Sequence, residues 1–341
     1  MRSALQSVEG PRNDEGMSAS ALTLVDPLTA GEIADARRRI AGIAVRTPLV
    51  PASDGRTWLK LECLQPTGSY KIRGATNALK AAVESGERPR AIVSASAGNF
   101  GQAIVNAANR LGIPAMIHVP DKAARVKIEN LKRMGATVHE HSFDDWWRIM
   151  ETRETGDEAQ GAIFFHPVCE RAVIAGAATI GEEIVEDVAE VEAVLIPIGG
   201  GGLACGIAQA VRRHRSDCRI LAVETETALP LQAALRAGRP VTVERTPSFV
   251  DGMGSARVLD AMWPLLERLI DDVVVVSLAE VEEAIRRLAA DHHVIAEGAG
   301  AAAFAAARKS ETGVTAAIVS GGNLDWAELR RIISAQSTTP T

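Results

Sequence analysis

The residue in this chain best suited to chemistry is Lys71, which lies among small residues at the start of a helical pattern. The segment 68–75 reads Gly-Ser-Tyr-Lys-Ile-Arg-Gly-Ala and follows the strand-like segment 58–62. A lysine amine attacks a carbonyl carbon when burial or a neighbouring cation keeps it partly unprotonated. Small neighbours also leave room for a flat ring to approach the backbone. Taken alone, however, the segment is typical of a solvated lysine in the first turn of a surface helix.

A run of glycines from Gly199 to Gly202 joins the apolar stretch 193–198 to a helical pattern at 203–214. Residues without a Cβ atom let successive N–H groups converge on an anion, and the helix dipole adds to the attraction. A dinucleotide fingerprint would need a third glycine where this chain has Cys205, so nicotinamide chemistry is the weaker interpretation. The run therefore predicts a phosphate site.

A third segment, the loop 96–99, lies between a predicted strand at 91–94 and a predicted helix at 102–111. The amide of Asn99 can donate to a phenolate, while the Ser96 hydroxyl and the loop N–H groups can bind a carboxylate. A helix N-cap is the alternative role for this asparagine.

A fourth segment, Ser320-Gly321-Gly322-Asn323, follows a predicted strand at 316–319. Ligands bind at the carboxyl ends of strands in open α/β sheets, and the two glycines leave room for a ring. By itself, a Ser-Gly-Gly segment is an ordinary loop. The four segments together are far more specific than any one of them.

The order of these four segments resembles the pyridoxal-phosphate (PLP) enzymes of fold type II, and among them the threonine/serine dehydratases. The resemblance extends from about Pro48 to Asn323. It implies a two-domain α/β fold of the tryptophan synthase β type, in which helices flank parallel sheets. It also implies a small domain at 82–168 inserted into a large PLP-binding domain formed by 26–81 and 169–335.

The resemblance further implies that Lys71 holds PLP as a Schiff base and later acts as the base at Cα. The implied cofactor-binding residues are Tyr70, Lys71, Asn99, Gly199, Gly200, Gly201, Gly202, Leu203, Glu297 and Ser320. The implied substrate-binding residues are Ser96, Ala97, Gly98, Asn99 and Phe100. Asn99 would donate to the phenolate oxygen of PLP, and Ser320 would face the pyridine nitrogen. Glu297 either lies near the ring or supplies an N-terminal charge to a predicted helix at 301–308.

This chain departs from the family pattern at several positions. Relatives that racemise serine carry a second serine where this chain has Ala97, which argues against racemisation. Phe100 replaces the histidine of many dehydratases and predicts a more apolar substrate pocket. Some relatives bind a divalent cation near the segment 224–230, but Pro230 stands where a second carboxylate is expected. We therefore predict no metal site. The loop 251–254 resembles a second segment that lines the pocket.

These residues predict a PLP-dependent ammonia-lyase that converts a β-hydroxy amino acid, of the L-threonine or L-serine type, to a 2-oxo acid and ammonia. The same chemistry on 3-hydroxyaspartate, phenylserine or another β-hydroxy amino acid remains open, because Phe100 changes the pocket. From a different class, a catalytically silent regulator that binds PLP or an amino acid is also open. The family resemblance implies a homodimer.

The composition of the 341 residues is that of an ordinary globular protein, with 47% apolar residues and a net charge of −6. No basic block suggests nucleic acid, and no apolar stretch approaches the length of a membrane span. Residues 1–25 lack hydrophobic periodicity and any signal-peptide pattern, so we expect a disordered tail on a cytoplasmic protein. Four unpaired cysteines fit reduced thiols, and His139 with His141 fits a solvated strand end better than a zinc site.

Overall fold

The computed structural model describes residues 23–156 and 159–335. The predicted disordered tail therefore lies almost entirely outside the described residues. No helix in the described ranges is long and apolar enough to cross a bilayer.

In the described residues, the larger sheet has six strands and carries the candidate site at the carboxyl ends of two interior strands. In chain order, its strands are β1 (Leu49–Pro51), β2 (Thr57–Lys60), β7 (Ala193–Pro197), β8 (Arg219–Thr225), β9 (Asp272–Val276) and β10 (Thr315–Ile318). Their spatial order is β1-β2-β10-β7-β8-β9, and every pair is parallel except β1 with β2. That antiparallel edge pair was not predicted. It arises because Asp54 accepts the N–H groups of Arg56 and Thr57 in a tight turn, where Gly55 has a φ of 70°.

The smaller sheet has four strands, all paired in parallel in the order β5-β4-β3-β6. These strands are β3 (Ile92–Ser94), β4 (Ala115–Pro120), β5 (Thr137–His141) and β6 (Ile163–Phe164). All four fall within the range 82–168. The domain boundaries themselves stay a prediction.

Helices cover both sheets, as expected for parallel strands joined by crossover connections. They are α1 (Ala30–Ile40), α2 (Lys71–Glu84), α3 (Asn99–Arg110), α4 (Arg125–Arg133), α5 (Phe143–Thr152), α6 (Arg171–Asp187), α7 (Gly202–His214), α8 (Pro230–Ala237), α9 (Trp263–Leu269), α10 (Leu278–His292), α11 (Gly298–Ala307) and α12 (Trp326–Ser334). The capping boxes of α1 and α10, which join Thr29 to Glu32 and Ser277 to Glu280, are both present. Helix α11 is buried on all sides, because it is built almost entirely from alanine and glycine.

A buried ionic network holds α2 against α6 and the six-stranded sheet. Arg73 on α2 contacts Glu62 at 2.8 Å and Glu183 on α6 at 2.6 Å. Lys60 at the end of β2 contacts Glu183 at 2.6 Å and donates to the Thr47 carbonyl at 2.7 Å. Burial alone would raise the pKa of Glu62, but the charge of Arg73 and its hydrogen bonds hold that pKa below the ordinary value. The network thus fixes the helix on which Lys71 is the first residue.

Candidate active site

The candidate site is a cavity at the carboxyl ends of β7 and β10, which are neighbours in the six-stranded sheet. This edge is where open α/β sheets bind ligands. The residues that line the cavity are Tyr70, Lys71, Val168, Pro197, Gly199, Gly200, Gly201, Gly202, Leu203, Gly252, Met253, Ala299 and Ser320. The fold therefore brings three of the four sequence segments into one space.

Lys71 presents its amine to this cavity from the first turn of α2. Its Nζ donates to the carbonyl of Pro167 at 3.2 Å. The same Nζ lies 5.1 Å from the ring centroid of Tyr70 and 5.8 Å from that of Phe100. One carbonyl and two aromatic faces orient the amine without a covalent or bidentate contact. A carbonyl-bearing ligand can replace such contacts at little cost.

The glycine run forms an anion cradle at the start of α7. Gly201 is the N-cap of this helix with a φ of 92°, which glycine adopts without strain. A Cβ atom at Gly200 would come 2.5 Å from Val168 Cγ2, so a side chain there would close the space. The first hydrogen bond of α7 joins the Cys205 N–H to the Gly201 carbonyl, and the preceding helical N–H groups therefore have no partner within the helix. These groups and the helix dipole suit a phosphate.

The segment opposite the cradle is held in place by His166, whose side chain is buried. Its Nδ1 accepts the N–H groups of Val168 at 3.0 Å and Cys169 at 2.8 Å, which requires that nitrogen to be unprotonated. Burial, with smaller contributions from two nearby cations, lowers the pKa of His166 to about 4. The neutral ring thus fixes the Pro167 carbonyl that receives the Lys71 amine.

Ser320 reaches the cavity because the segment 320–322 pairs with the segment that precedes Lys71. The Tyr70 N–H donates to the Ser320 carbonyl at 3.1 Å, and the Gly322 N–H donates to the Gly68 carbonyl at 2.8 Å. The Ser320 side chain is buried, and its Oγ donates to the Ala299 carbonyl at 3.3 Å. A neutral hydroxyl therefore lies in the same cavity as the lysine amine.

Asn99 does not cap its helix, so the N-cap alternative is wrong. Gly98 is the N-cap of α3, and Asn99 is the first helical residue. The Asn99 Nδ2 instead donates to Glu297 Oε1 at 2.7 Å, and its Oδ1 accepts from Asn323 Nδ2 at 2.8 Å. These contacts pass beside Gly321, where a Cβ atom would lie 2.2 Å from Glu297 Oε1 and 3.3 Å from Asn99 Nδ2. Glycine at this position is required by the close approach.

Glu297 occupies the N-cap position of α11, but its carboxylate makes no capping hydrogen bond. The helix begins at Gly298, three residues before the predicted start. Burial, with a smaller contribution from the negative charge of Asp251, raises the pKa of Glu297 to about 7. The hydrogen bond from Asn99 and the charge of Lys127 act in the opposite direction. This carboxyl group can therefore hold a proton near neutral pH.

The remaining residues of the predicted carboxylate loop lie close to these groups. Ser96, Ala97 and Gly98 are half-buried, and Phe100 is only 2% exposed, in the core beside the four-stranded sheet. The Ser96 carbonyl lies so close to α3 that a Cβ atom at Gly101 would come within 2.0 Å of it. The loop is therefore a tight connection, and Phe100 both packs in the core and faces the lysine amine.

Sequence reasoning missed several cavity residues because their types carry no chemical signal. Val168, Pro197 and Ala299 line the space with apolar groups. Gly252 and Met253 belong to the loop that the sequence singled out only by resemblance. Asn323 was quoted within its motif but given no role, although an amide directly after Ser-Gly-Gly was a usable signal.

A histidine cluster on the smaller sheet lies apart from this cavity. His139 and His141 are on β5, and His118 on the neighbouring β4 stacks on both, with ring centroids 5.1 and 4.9 Å away. His118 Nδ1 lies 2.7 Å from His141 Nε2, a direct hydrogen bond that leaves no room for an ion between them. Burial is the main cause that lowers the pKa of His118 to about 4. In the described ranges, no group of three or more His, Cys, Asp or Glu side chains could hold a metal ion.

An amine that reacts with carbonyls and a helix N-terminus that attracts phosphate open into one cavity of an α/β fold. This combination defines the enzymes that hold a phosphorylated aldehyde as their cofactor. The family model described as pyridoxal-phosphate dependent enzyme matches residues 40–321. The chain therefore belongs to the PLP-dependent enzymes, as the sequence predicted.

Several relatives narrow this assignment. The chain is 37% identical to the L-threonine ammonia-lyase of Thermotoga maritima, over 90% of this chain and 78% of the relative. It is 34% identical to the catabolic L-threonine dehydratase TdcB of Escherichia coli, over 90% of this chain and 96% of the relative. The structure of maize serine racemase matches with a TM-score of 0.79 and 32% identity, over 88% of this chain and 95% of that one. The predicted fold type II is confirmed, and the chain lies in the group that includes threonine dehydratases and serine racemases.

The cavity fits PLP on its own chemistry. The Lys71 amine suits the aldehyde, and the unpartnered N–H groups before Cys205 suit the phosphate. The Ser320 hydroxyl is neutral and suits a pyridine nitrogen that carries little positive charge. The amide of Asn99 has a second hydrogen that Glu297 does not use, and a phenolate oxygen would accept it.

We expect the substitution Glu297→Gln to reduce the pH dependence of folding stability. The ordinary pKa of this carboxyl is 4.5 and its folded pKa is about 7, so the unfolded chain loses the proton first as pH rises. The contribution of Glu297 to stability is therefore greatest below pH 4.5 and is lost by about pH 7. Glutamine cannot ionise, so the fall in unfolding free energy between pH 5 and 8 should shrink by roughly 1–3 kcal/mol. Urea unfolding of cofactor-free protein at both pH values measures this, and an unchanged pH difference would contradict the assignment.

Proposed function

We propose that this protein dehydrates and deaminates a small β-hydroxy amino acid, of the L-threonine or L-serine type, to a 2-oxo acid and ammonia. The observation that carries the proposal is the Lys71 amine, which opens onto the same cavity as the glycine cradle and Ser320. Relatives named as L-threonine ammonia-lyase and L-threonine dehydratase support this choice of reaction.

Lys71 is the proposed base. When PLP is bound, it withdraws electrons from Cα of the amino acid joined to it and makes the α-proton acidic. The Lys71 Nζ, directed by the Pro167 carbonyl and the Tyr70 and Phe100 rings, takes that proton. The β-hydroxyl leaves as water. The unsaturated amino acid that remains then takes up one water when it hydrolyses. The net products are therefore one 2-oxo acid and one ammonia.

The loop 96–100 is the proposed carboxylate site. Ser96 supplies a hydroxyl, and Ala97 and Gly98 supply N–H groups just before the N-terminus of α3, where the helix dipole favours an anion. Binding the carboxylate there orients Cα toward Lys71. Asn99 at the start of this helix is the proposed donor to the PLP phenolate, and Glu297 lies behind it.

Ala97 favours elimination over racemisation. Racemisation needs a second acid–base group that returns a proton to the opposite face of Cα. The methyl group of Ala97 cannot do this, and it stands where the resemblance places the second serine of serine racemases. The likeness to maize serine racemase therefore supports the fold and the cofactor of this protein more than it supports a racemase activity.

A substrate panel tests the proposal. Purified protein with PLP should form 2-oxobutanoate from L-threonine or pyruvate from L-serine, measured with a coupled dehydrogenase. The panel also includes D-threonine and D-serine. It includes 3-hydroxyaspartate and phenylserine because an apolar ring, that of Phe100, lies 5.8 Å from the Lys71 Nζ. Chiral chromatography measures D-serine in the same reactions. D-serine formed faster than pyruvate would indicate a racemase, and a ligand-dependent absorbance change without any product would indicate a regulator.

The wider organisation belongs to the same proposal. We infer a homodimer of two-domain protomers, with the small domain at 82–168 inserted into the large domain formed by 26–81 and 169–335. Three consecutive arginines, residues 37–39, lie in the last turn of helix α1. They do not argue for the interface, because Arg37 and Arg38 pair with Glu186 and Glu84 of the same chain. Sedimentation or light scattering measures the assembly.

A further inference from the structure

A chain of side-chain amides connects a backbone carbonyl to the candidate site. Asn323 Nδ2 donates to the Thr67 carbonyl at 2.9 Å and to Asn99 Oδ1 at 2.8 Å. Asn99 Nδ2 then donates to Glu297 Oε1 at 2.7 Å. Asn323 therefore donates in two directions, to the Thr67 carbonyl on one side and to Asn99 on the other, and Asn99 donates in turn to a buried carboxyl group.

The orientation of both side-chain amides follows from the contact of Asn323 with the Thr67 carbonyl. A backbone carbonyl only accepts hydrogen bonds, so the Asn323 atom beside Thr67 must be its NH2 group. That same group meets Asn99, so the Asn99 atom it touches must be the oxygen. The NH2 group of Asn99 is then left to face Glu297, with one hydrogen still free. Without Asn323, only Glu297 would constrain the Asn99 amide, and a protonated carboxyl can donate to the amide oxygen as well as accept from the NH2 group.

The local backbone supports this arrangement. Gly68 has a φ of 71°, and a Cβ atom there would come 2.3 Å from Asn323 Oδ1. The Gly322 N–H donates to the Gly68 carbonyl at 2.8 Å, which holds the residue before Asn323 against the same turn. The Asn323 side chain therefore has a fitted position, although the residue is exposed.

We propose that Asn323 is a positioning residue, which uses the Thr67 carbonyl to keep the NH2 group of Asn99 turned toward the cofactor. This inference rests on the proposed donation from Asn99 to the PLP phenolate. It does not depend on which amino acid is the substrate. A phenolate needs a donor, and an inverted Asn99 would present it with an oxygen instead.

Two substitutions at Asn323 separate positioning from bulk structure. Asn323→Ala removes the constraint and allows the Asn99 amide to adopt either orientation. The Kd of PLP should therefore rise only about 3-fold. Asn323→Asp is isosteric but has no hydrogen to donate, so only the NH2 group of Asn99 can satisfy it. The Asn99 amide should therefore invert, and the Kd of PLP should rise about 10-fold or more. A merely structural role predicts the opposite order, because alanine removes more contacts than aspartate.

Asn109→Asp is the matched control. Asn109 is exposed on α3, and its Nδ2 donates to the Met134 carbonyl at 2.8 Å, so the substitution adds the same charge and loses the same type of bond. We expect no change in the Kd of PLP for this variant. Repeating the titrations in about 1 M salt, where charges are screened within ~3 Å, removes any long-range effect of the new carboxylate.

The experiment has two readouts besides turnover. Titration of cofactor-free protein with PLP gives Kd, and visible absorbance against pH gives the protonation midpoint of the lysine-linked cofactor. Asn323→Asp should shift that midpoint upward, because an acceptor beside the phenolate disfavours the ionised oxygen. Wild-type Kd and midpoint in both Asn323 variants would overturn the inference, as would a weaker effect of aspartate than of alanine. If Asn323→Asp does not fold, an unchanged Kd in Asn323→Ala still contradicts it. If Kd and midpoint change as expected but the wild-type protein turns over none of the β-hydroxy amino acids, the proposed reaction fails and the inference stands.

Discussion

Replacing Lys71 with alanine is expected to reduce turnover of the proposed substrates by about 10³-fold or more, since a positioned general base alone contributes 10²–10⁴-fold. The variant should also lose the covalent attachment of PLP. Borohydride reduction followed by peptide mapping should find the adduct on Lys71 in the wild type and on no residue in the variant. The expected effect is large because the amine serves both in attachment and in proton transfer.

Lys80→Ala is the matched control for this substitution. Lys80 lies on the same helix, α2, nine residues further along and outside the cavity-lining set. The substitution Lys80→Ala removes an amine from the same helix but not from the cavity. Turnover and the visible spectrum should therefore stay at wild-type values. Retention of both the lysine-linked absorbance and turnover in Lys71→Ala would contradict the assignment of the base.

Features set by neighbours in the chain could be predicted from the sequence. The capping boxes at Thr29 and Ser277 join residues three apart, so their hydrogen bonds follow from local composition. The glycine run at the start of α7 is equally local, because residues without Cβ between a strand and a helix can turn their N–H groups toward an anion. The site segments Gly68–Ala75 and Gly199–Gly202 were recognisable for this reason.

Contacts between distant segments could not be predicted in the same way. The Lys71 amine meets the carbonyl of Pro167, 96 residues away, and any residue type offers a carbonyl. Asn99 meets Glu297 across 198 residues, a contact that the local pattern did not indicate, and a helix cap was one of the two roles left open for this asparagine. The cap was wrong because Gly98 takes that position in an extended conformation, which moves the asparagine into the helix. The partners of Lys71 and Asn99 thus depend on contacts between distant segments, which the local sequence pattern does not specify.

Replacing Arg73 with methionine is expected to destabilise the fold by about 3–5 kcal/mol, the usual cost of breaking a buried ion pair. Arg73 is fully buried, and its two carboxylate partners would be left with Lys60 as their one buried cation in the network. Arg38→Met is the control, because Arg38 makes a similar pair with Glu84 but is 58% exposed, where water already screens the charges. Urea unfolding should show a large loss for Arg73→Met and little change for the control.

The pH dependence distinguishes a lost ion pair from lost packing in Arg73→Met. Arg73 holds the folded pKa of Glu62 below its ordinary value of 4.5, so this contribution to stability is present above pH 4.5 and is lost as pH falls through the lowered pKa. The variant lacks that contribution, and its buried carboxyls can take up protons more readily. The deficit relative to wild type should therefore be smaller at pH 4 than at pH 8. A deficit of the same size at both pH values would show that the side chain acts through its volume. The network would then hold Lys71 and its helix by shape instead of charge.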